Sequence, residues 1–189
     1  LMGGIVVDTD TRTDLPGLYV AGEDAGGAHG SNRLGGNGVA NSTVYGGVAG
    51  DVMGQDCQEM KALHDPDETV LDEELTRAVT PFSQKPGDVT ALRNRLQDVM
   101  WEDVGVMRDA DGLQRGLKRI AEIDDELSSV GVAADNLAFN LSWHDWLNLR
   151  SLIDMSMVIA KAALSRENSR GAHFREDFPD AGAVSYTHL

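Results

Sequence analysis

Apolar positions along the chain fall into two regimes. Up to about residue 54 they come as short runs, Ile5-Val6-Val7 and Leu18-Tyr19-Val20-Ala21, separated by a polar stretch whose turn signal is Pro16-Gly17. Such brief β-branched and aromatic runs, bounded by turn residues, predict two strands. The segment 22–38 that follows is too rich in glycine for the interior of a strand or helix. Residues 39–53 then carry small side chains at Ala40, Gly46, Gly47, Ala49 and Gly50. That pattern suits a helix whose backbone approaches something closely. The predicted unit is strand, long glycine loop, helix N-terminus.

Beyond residue 54 the spacing becomes helical. Asp65-Pro66-Asp67-Glu68 offers an N-cap, a first-turn proline and an acid at the third position, so a helix is predicted with Val70, Leu71, Leu75 and Val79 inward. Pro81 and Pro86-Gly87 interrupt it. A second helix from Asp88 buries Leu92, Leu96, Val99 and Met100, with Val104 near its end, and a third after Asp111 buries Leu113, Leu117, Ile120 and Leu127. A fourth, from about 135 to 165, places Leu137, Leu141, Trp143, Trp146, Ile153 and Met157 around its buried side. Three or four such helices pack as a bundle. The two tryptophans read as core or interface residues, and Cys57 as a small buried or half-buried side chain.

Composition sharpens this division. Fourteen of the 21 glycines lie in residues 1–54, which hold two basic and six acidic groups, whereas the remaining residues carry a net −11 of the chain's −15. So acidic a chain excludes nucleic acid as a partner and does not suit an anionic lipid surface. One cysteine makes neither an internal disulfide nor a cysteine-rich zinc site. No membrane span is expected, because the most apolar late stretch, 152–164, contains Asp154 and Lys161. The opening Leu1-Met2-Gly3-Gly4 has no basic and apolar signal pattern and reads as the start of a piece cut from something longer.

The candidate chemistry lies in the glycine loop. Its main chain is able to come within hydrogen-bond distance of a flat or phosphorylated ligand, and the helix beginning near Gly38 aims unpaired N–H groups and a partial positive charge back at it. Arg33, the loop's one basic residue, is suited to grip a carboxylate through two parallel hydrogen bonds. Glu23, ending the second run, is placed to accept hydrogen bonds from sugar or ribityl hydroxyls. Only one of the adjacent Glu23 and Asp24 faces a ligand if the chain there is extended, and Asp24 reads as structural. His29 either hydrogen-bonds its neighbours or takes part in catalysis. Neither G-x-G-x-x-G nor G-x-x-x-x-G-K-[ST] occurs in the loop.

The particular strings do carry a resemblance. Met2-Gly3-Gly4-Ile5, Gly17-Leu18-Tyr19-Val20-Ala21-Gly22-Glu23 and His29-Gly30-Ser31-Asn32-Arg33-Leu34-Gly35-Gly36-Asn37 resemble the end of the FAD domain in fumarate reductase and succinate dehydrogenase flavoprotein subunits. Ser169-Arg170-Gly171-Ala172-His173-Phe174-Arg175-Glu176-Asp177-Phe178-Pro179 is similar to the signature after that family's helical domain. The resemblance implies the α/β end of an FAD-binding domain over residues 1–54, followed by an all-α helical bundle domain over 55–180. It implies FAD held by Glu23 and by the backbone of Gly38 and Val39, and a substrate carboxylate of fumarate or succinate held by Arg33. It further implies an electron-transport oxidoreductase with an iron–sulfur partner subunit, located in the cytoplasm or on the cytoplasmic face of the membrane through partners.

The family's dinucleotide-binding unit, its FAD-anchoring histidine, its proton-delivering arginine and a substrate-binding histidine would precede Leu1, so the chain alone is expected not to turn over. Residues 181–189 do not resemble the family and read as a truncation or non-native tail. L-aspartate oxidase, which shares the His-Gly-x-Asn-Arg and Ser-Arg-Gly-Ala-His patterns, is the alternative within the superfamily. A helical interaction module over 55–180 with a vestigial loop is the alternative outside it. For Arg170, His173 and Arg175 three roles stay open: positioning their own loop against the FAD domain, pairing with nearby acids, or contacting a partner subunit.

Overall fold

The structure, a computed structural model, describes residues 3–60, 62 and 65–182. It is mostly helical, with one small sheet. The elements are α1 (Asn37–Glu59), α2 (Glu68–Val79), a single 3-10 turn (Thr80–Ser83), α3 (Val89–Glu102), β1 (Met107–Arg108), α4 (Ala110–Leu127), α5 (Leu141–Ser165) and β2 (Phe174–Arg175). They divide into two units: the described residues through Asp65 with Arg170–His173 and the residues from Ala181, and Pro66–Ser169 with Phe174–Asp180. The tail expected at 181–189 lies outside the described residues from position 183 onward.

The second unit is the bundle. Leu92, Leu96 and Val99 of α3, Leu113, Ile120, Ile123 and Leu127 of α4, and Leu149, Ile153 and Ala160 of α5 form one buried cluster. Taking each of the larger side chains out of water contributes roughly 1.5–3 kcal/mol. Side chains fix where the helices start. The Asp88 carboxylate accepts from the Ala91 N–H at 2.9 Å, that of Asp109 from Gly112 at 2.6 Å, and the Asn140 side-chain carbonyl from Trp143 at 3.0 Å. Trp143 and Trp146 sit on the inner side of α5, their indole N–H groups donating to the carbonyls of Ala78 and Val130.

Two expectations about this unit fail for a physical reason. The α2 stripe of Val70, Leu71, Leu75 and Val79 is exposed, because α2 packs chiefly on the 3-10 turn after it. Its N-cap is Asp67, not Asp65: the Asp67 side chain accepts from the Thr69 N–H. The last helix begins at Leu141, not 135. Asn140 is buried and also donates to the carbonyls of Ala134 and Asn136, which closes the preceding segment into a loop and leaves Leu137 and Leu141 exposed.

The segment 174–180 staples the bundle. β2 pairs in parallel with β1, Met107 opposite Phe174 and Arg108 opposite Arg175. Arg175 is only 1% exposed; it donates to the carbonyls of Ala163, Leu164 and Arg166 at the end of α5, forks onto Asp177 at 2.7 Å, and lies over the Phe178 ring. A cation there complements the negative end of the helix. Asp177 in turn accepts from the Ala110 N–H at the start of α4. Its carboxyl is held down at about 2 by Arg175 first and then by that N–H.

In the first unit the predicted strands reduce to isolated bridges, Ile5 with Ala25 and Arg12 with Tyr19. Runs of three or four residues pair here at a single position, and Ile5 and Val6 remain exposed. A two-stranded contact of that length has no stability of its own. The segment from Arg12 to Tyr19 is instead tied to α1 through Asp56, whose carboxylate accepts from Arg12 at 3.1 and 2.9 Å and from the Tyr19 hydroxyl. Arg12 first and Tyr19 second hold the Asp56 carboxyl below the usual range. Cys57, next to it on α1, is exposed instead of buried or half-buried. No helix among the described residues is long and apolar enough to cross a membrane.

Candidate functional site

A cleft of about 890 Å³ opens in the first unit between the glycine loop and the first turn of α1, a volume within the usual range for ligand sites. Glu23, Arg33, Gly38 and Val39, scattered over 17 positions of sequence, all line it, together with His29. Asp24 does not; its carbonyl instead accepts from the Ile5 N–H at 2.8 Å.

Local backbone chemistry explains how these residues meet. The Gly22 carbonyl accepts from the Asn41 side chain at 3.3 Å, which holds the residue before Glu23 against α1. The helix itself starts from Gly36 in a left-handed conformation, φ 86°, with no side chain capping it and no acid in its first turn. First-turn N–H groups have no partner within a helix, so they and the aligned peptide dipoles give the cleft a positive wall. The Ser42 and Thr43 hydroxyls turn back onto the carbonyls of Gly38 and Val39.

Arg33 lies over that first turn. A Cβ built on Gly38 would stand 2.9 Å from Arg33 Nη1 and 3.4 Å from Cζ, so the guanidinium occupies space that any side chain at 38 would take. Arg33, Glu23 and Val39 are exposed and His29 is half-buried. A guanidinium and a helix N-terminus converging on one cleft favour an anion between them, and a planar carboxylate matches the guanidinium's paired donors. Glu23 adds an acceptor of opposite sign at the same cleft.

The residues the sequence left open separate cleanly. Arg175 belongs to the bundle, as described above. Arg170 donates to the carbonyls of Ala181 and Gly182 at 2.8 and 3.3 Å. The turn Arg170–His173 meets the glycine loop: the Ala172 N–H donates to the Ser31 carbonyl at 3.1 Å. Positioning against the FAD-domain end was one of the roles left open for this segment; the particular pair, Ala172 with Ser31, was not named from the sequence.

The family described as fumarate reductase flavoprotein C-term matches residues 93–188, and the FAD binding domain matches residues 1–39. The fumarate reductase flavoprotein subunit of Haemophilus influenzae is 31% identical over 188 residues, covering 98% of this chain and 31% of its own length. L-aspartate oxidase 1 of Ralstonia nicotianae is 36% identical over 184 residues, covering 94% and 31%. The solved Mycobacterium smegmatis Sdh1 complex in the apo form superposes with a TM-score of 0.90 at 36% identity, over 95% of this chain and 31% of that one. The chain thus spans about a third of the length of the relatives it matches. With more than half of its residues under the first of those family matches, the chain belongs to the fumarate reductase flavoprotein family.

Proposed function

We propose that this chain supplies the flavin-facing and substrate-clamping end of an FAD-dependent oxidoreductase that interconverts succinate and fumarate. One observation carries the reading: Glu23, Arg33 and the uncapped first turn of α1 converge on a single cleft. In this reading residues 1–54 close an FAD-binding α/β domain, residues 55–180 are the helical domain that follows it, and 181–189 stand outside the family pattern. Electrons pass to or from an iron–sulfur partner subunit, in the cytoplasm or on the cytoplasmic face of a membrane.

The donor set suits this part of a flavin site. The wall of backbone N–H groups fits an electron-rich ring edge, Gly38 leaves room for the Arg33 guanidinium beside it, and the Glu23 carboxylate fits a hydroxyl-bearing chain. FAD bound here would supply the hydride chemistry between succinate and fumarate. Glu23 would hold it by accepting hydrogen bonds from its hydroxyls. The N–H groups of Gly38 and Val39 would hold it by donating to an electron-rich edge. Arg33 holds one substrate carboxylate through two parallel hydrogen bonds, fixes the diacid's orientation, and draws electron density from the unsaturated acid.

The relative named L-aspartate oxidase favours a second reading in which the same guanidinium holds a carboxylate of an amino acid. Visible flavin absorbance of the purified full-length flavoprotein, followed by assays with succinate, fumarate and L-aspartate, separates the possibilities. Bound flavin with dicarboxylate turnover supports the proposal. Turnover of L-aspartate alone selects the second reading, and a colourless, inactive protein leaves only a helical interaction module.

A further inference from the structure

We propose that the turn Arg170–His173 is a positioning element for Arg33, acting through the Ser31 carbonyl; the proposal rests on the clamp role assigned above. The turn is held by its own hydrogen bonds, Arg170 N–H to the His173 carbonyl at 2.8 Å and His173 N–H to the Arg170 carbonyl at 3.1 Å. The Arg170 guanidinium adds two more, to the carbonyls of Ala181 and Gly182. From this stiff turn the Ala172 N–H donates to Ser31 at 3.1 Å. Gly171, in a left-handed conformation at φ 60°, sits so close that a Cβ on it would stand 2.3 Å from the Ser31 carbonyl oxygen and 2.7 Å from its carbon.

No L side chain fits that gap, and backbone cannot swing aside as the end of a long side chain does. Among the described residues, the backbone bonds of segment 28–36, apart from those within α1, are Gly30 to Gly27, Asn37 to Leu34, and Ala172 to Ser31. Only the last reaches outside the glycine loop. Ser31 is two residues from Arg33, whose guanidinium lies against Gly38. The turn therefore sets where the loop's backbone stands, and the loop's backbone sets where the guanidinium reaches. A carboxylate clamp is sensitive to this, since a displacement of about 1 Å in a positioning group costs up to roughly 10²-fold in rate.

The experiment uses the full-length holoenzyme with fumarate as probe, comparing Gly171→Ala, Arg33→Ala and the double variant with wild type. The readouts are fumarate Kd by titration calorimetry, kcat/KM, flavin content and Tm. The expected result for Gly171→Ala is a rise in Kd and a fall in kcat/KM of about tenfold or more, with flavin content unchanged. In the Arg33→Ala background the same substitution is expected to change Kd less than about twofold, because both act on one interaction. Ala172→Pro, which removes the N–H donor without adding a Cβ at 171, is expected to move Kd the same way and serves if Gly171→Ala does not fold. A lowered Tm with fumarate Kd unchanged in both variants overturns the positioning proposal and leaves the clamp intact, as does full additivity with Arg33→Ala. A wild-type holoenzyme that neither binds nor reduces fumarate overturns both.

Discussion

Two arginines, each inside a motif string, show how differently one side chain is used in the two units. Arg175 is 1% exposed, and its donors are taken by three carbonyls at the end of α5 and by Asp177. Arg33 stands exposed at a cleft, set against a glycine and a helix N-terminus. The same side chain is therefore a buried staple in one case and an exposed cation lining a cleft in the other. What decides between them is whether the chain closes over the guanidinium, and that is a property of the fold.

The contrast is broken most sharply by removing each side chain in the full-length protein. Arg33→Ala is expected to lower kcat/KM for the dicarboxylate by a factor of order 10² or more, with flavin content and Tm unchanged. Steady-state kinetics and a melting curve check it; a lowered Tm with normal kinetics would reverse the two roles. Arg175→Ala is expected to do the opposite. It strands Asp177 and the last carbonyls of α5, and denaturant unfolding is expected to show a loss of about 3 kcal/mol or more.

Smaller changes sharpen the same comparison. Gly38→Ala puts a Cβ 2.9 Å from Arg33 Nη1. Because the neighbour is the far end of a flexible side chain, the expected cost is a shifted guanidinium and roughly a tenfold weaker dicarboxylate Kd, less than full removal. Trp146→Phe deletes the indole donor to the Val130 carbonyl and is expected to cost about 1 kcal/mol of stability, with dicarboxylate binding unchanged.

The smallest effect is expected in the acid range. The Asp177 carboxyl titrates at about 2 in the folded protein against an ordinary 3.8, so the ionised form is favoured by folding. Its contribution is full above the ordinary value and disappears as pH falls toward 2. Stability between those values is expected to fall less steeply in Asp177→Asn than in wild type, measured by unfolding across that range.

The bundle core was legible because the 3.6-residue period names a buried face directly, as at Leu92, Leu96 and Val99 or at Leu113 and Ile120. The same period misled at Val70, Leu71 and Leu75, since periodicity names a face but not what covers it. A helix start was read where an acid precedes an apolar run, as at Asp88. The buried Asn140 was missed because its donors close a loop that the apolar pattern ran straight through. Ile5-Val6-Val7 looks the same whether it joins a ladder or makes one bridge. Glu23, Arg33, Gly38 and Val39 were singled out from chemistry and from the resemblance, and they line one cleft. The meeting of Gly171 with Ser31, across 140 positions of chain, left no trace in local spacing.

The most direct measurement is a crystal structure of the full-length holoenzyme with fumarate bound. The account predicts one carboxylate of the diacid within hydrogen-bond distance of two Arg33 nitrogens, on the side of the guanidinium facing the start of α1. A diacid held entirely by other groups, with Arg33 turned toward solvent, would contradict it.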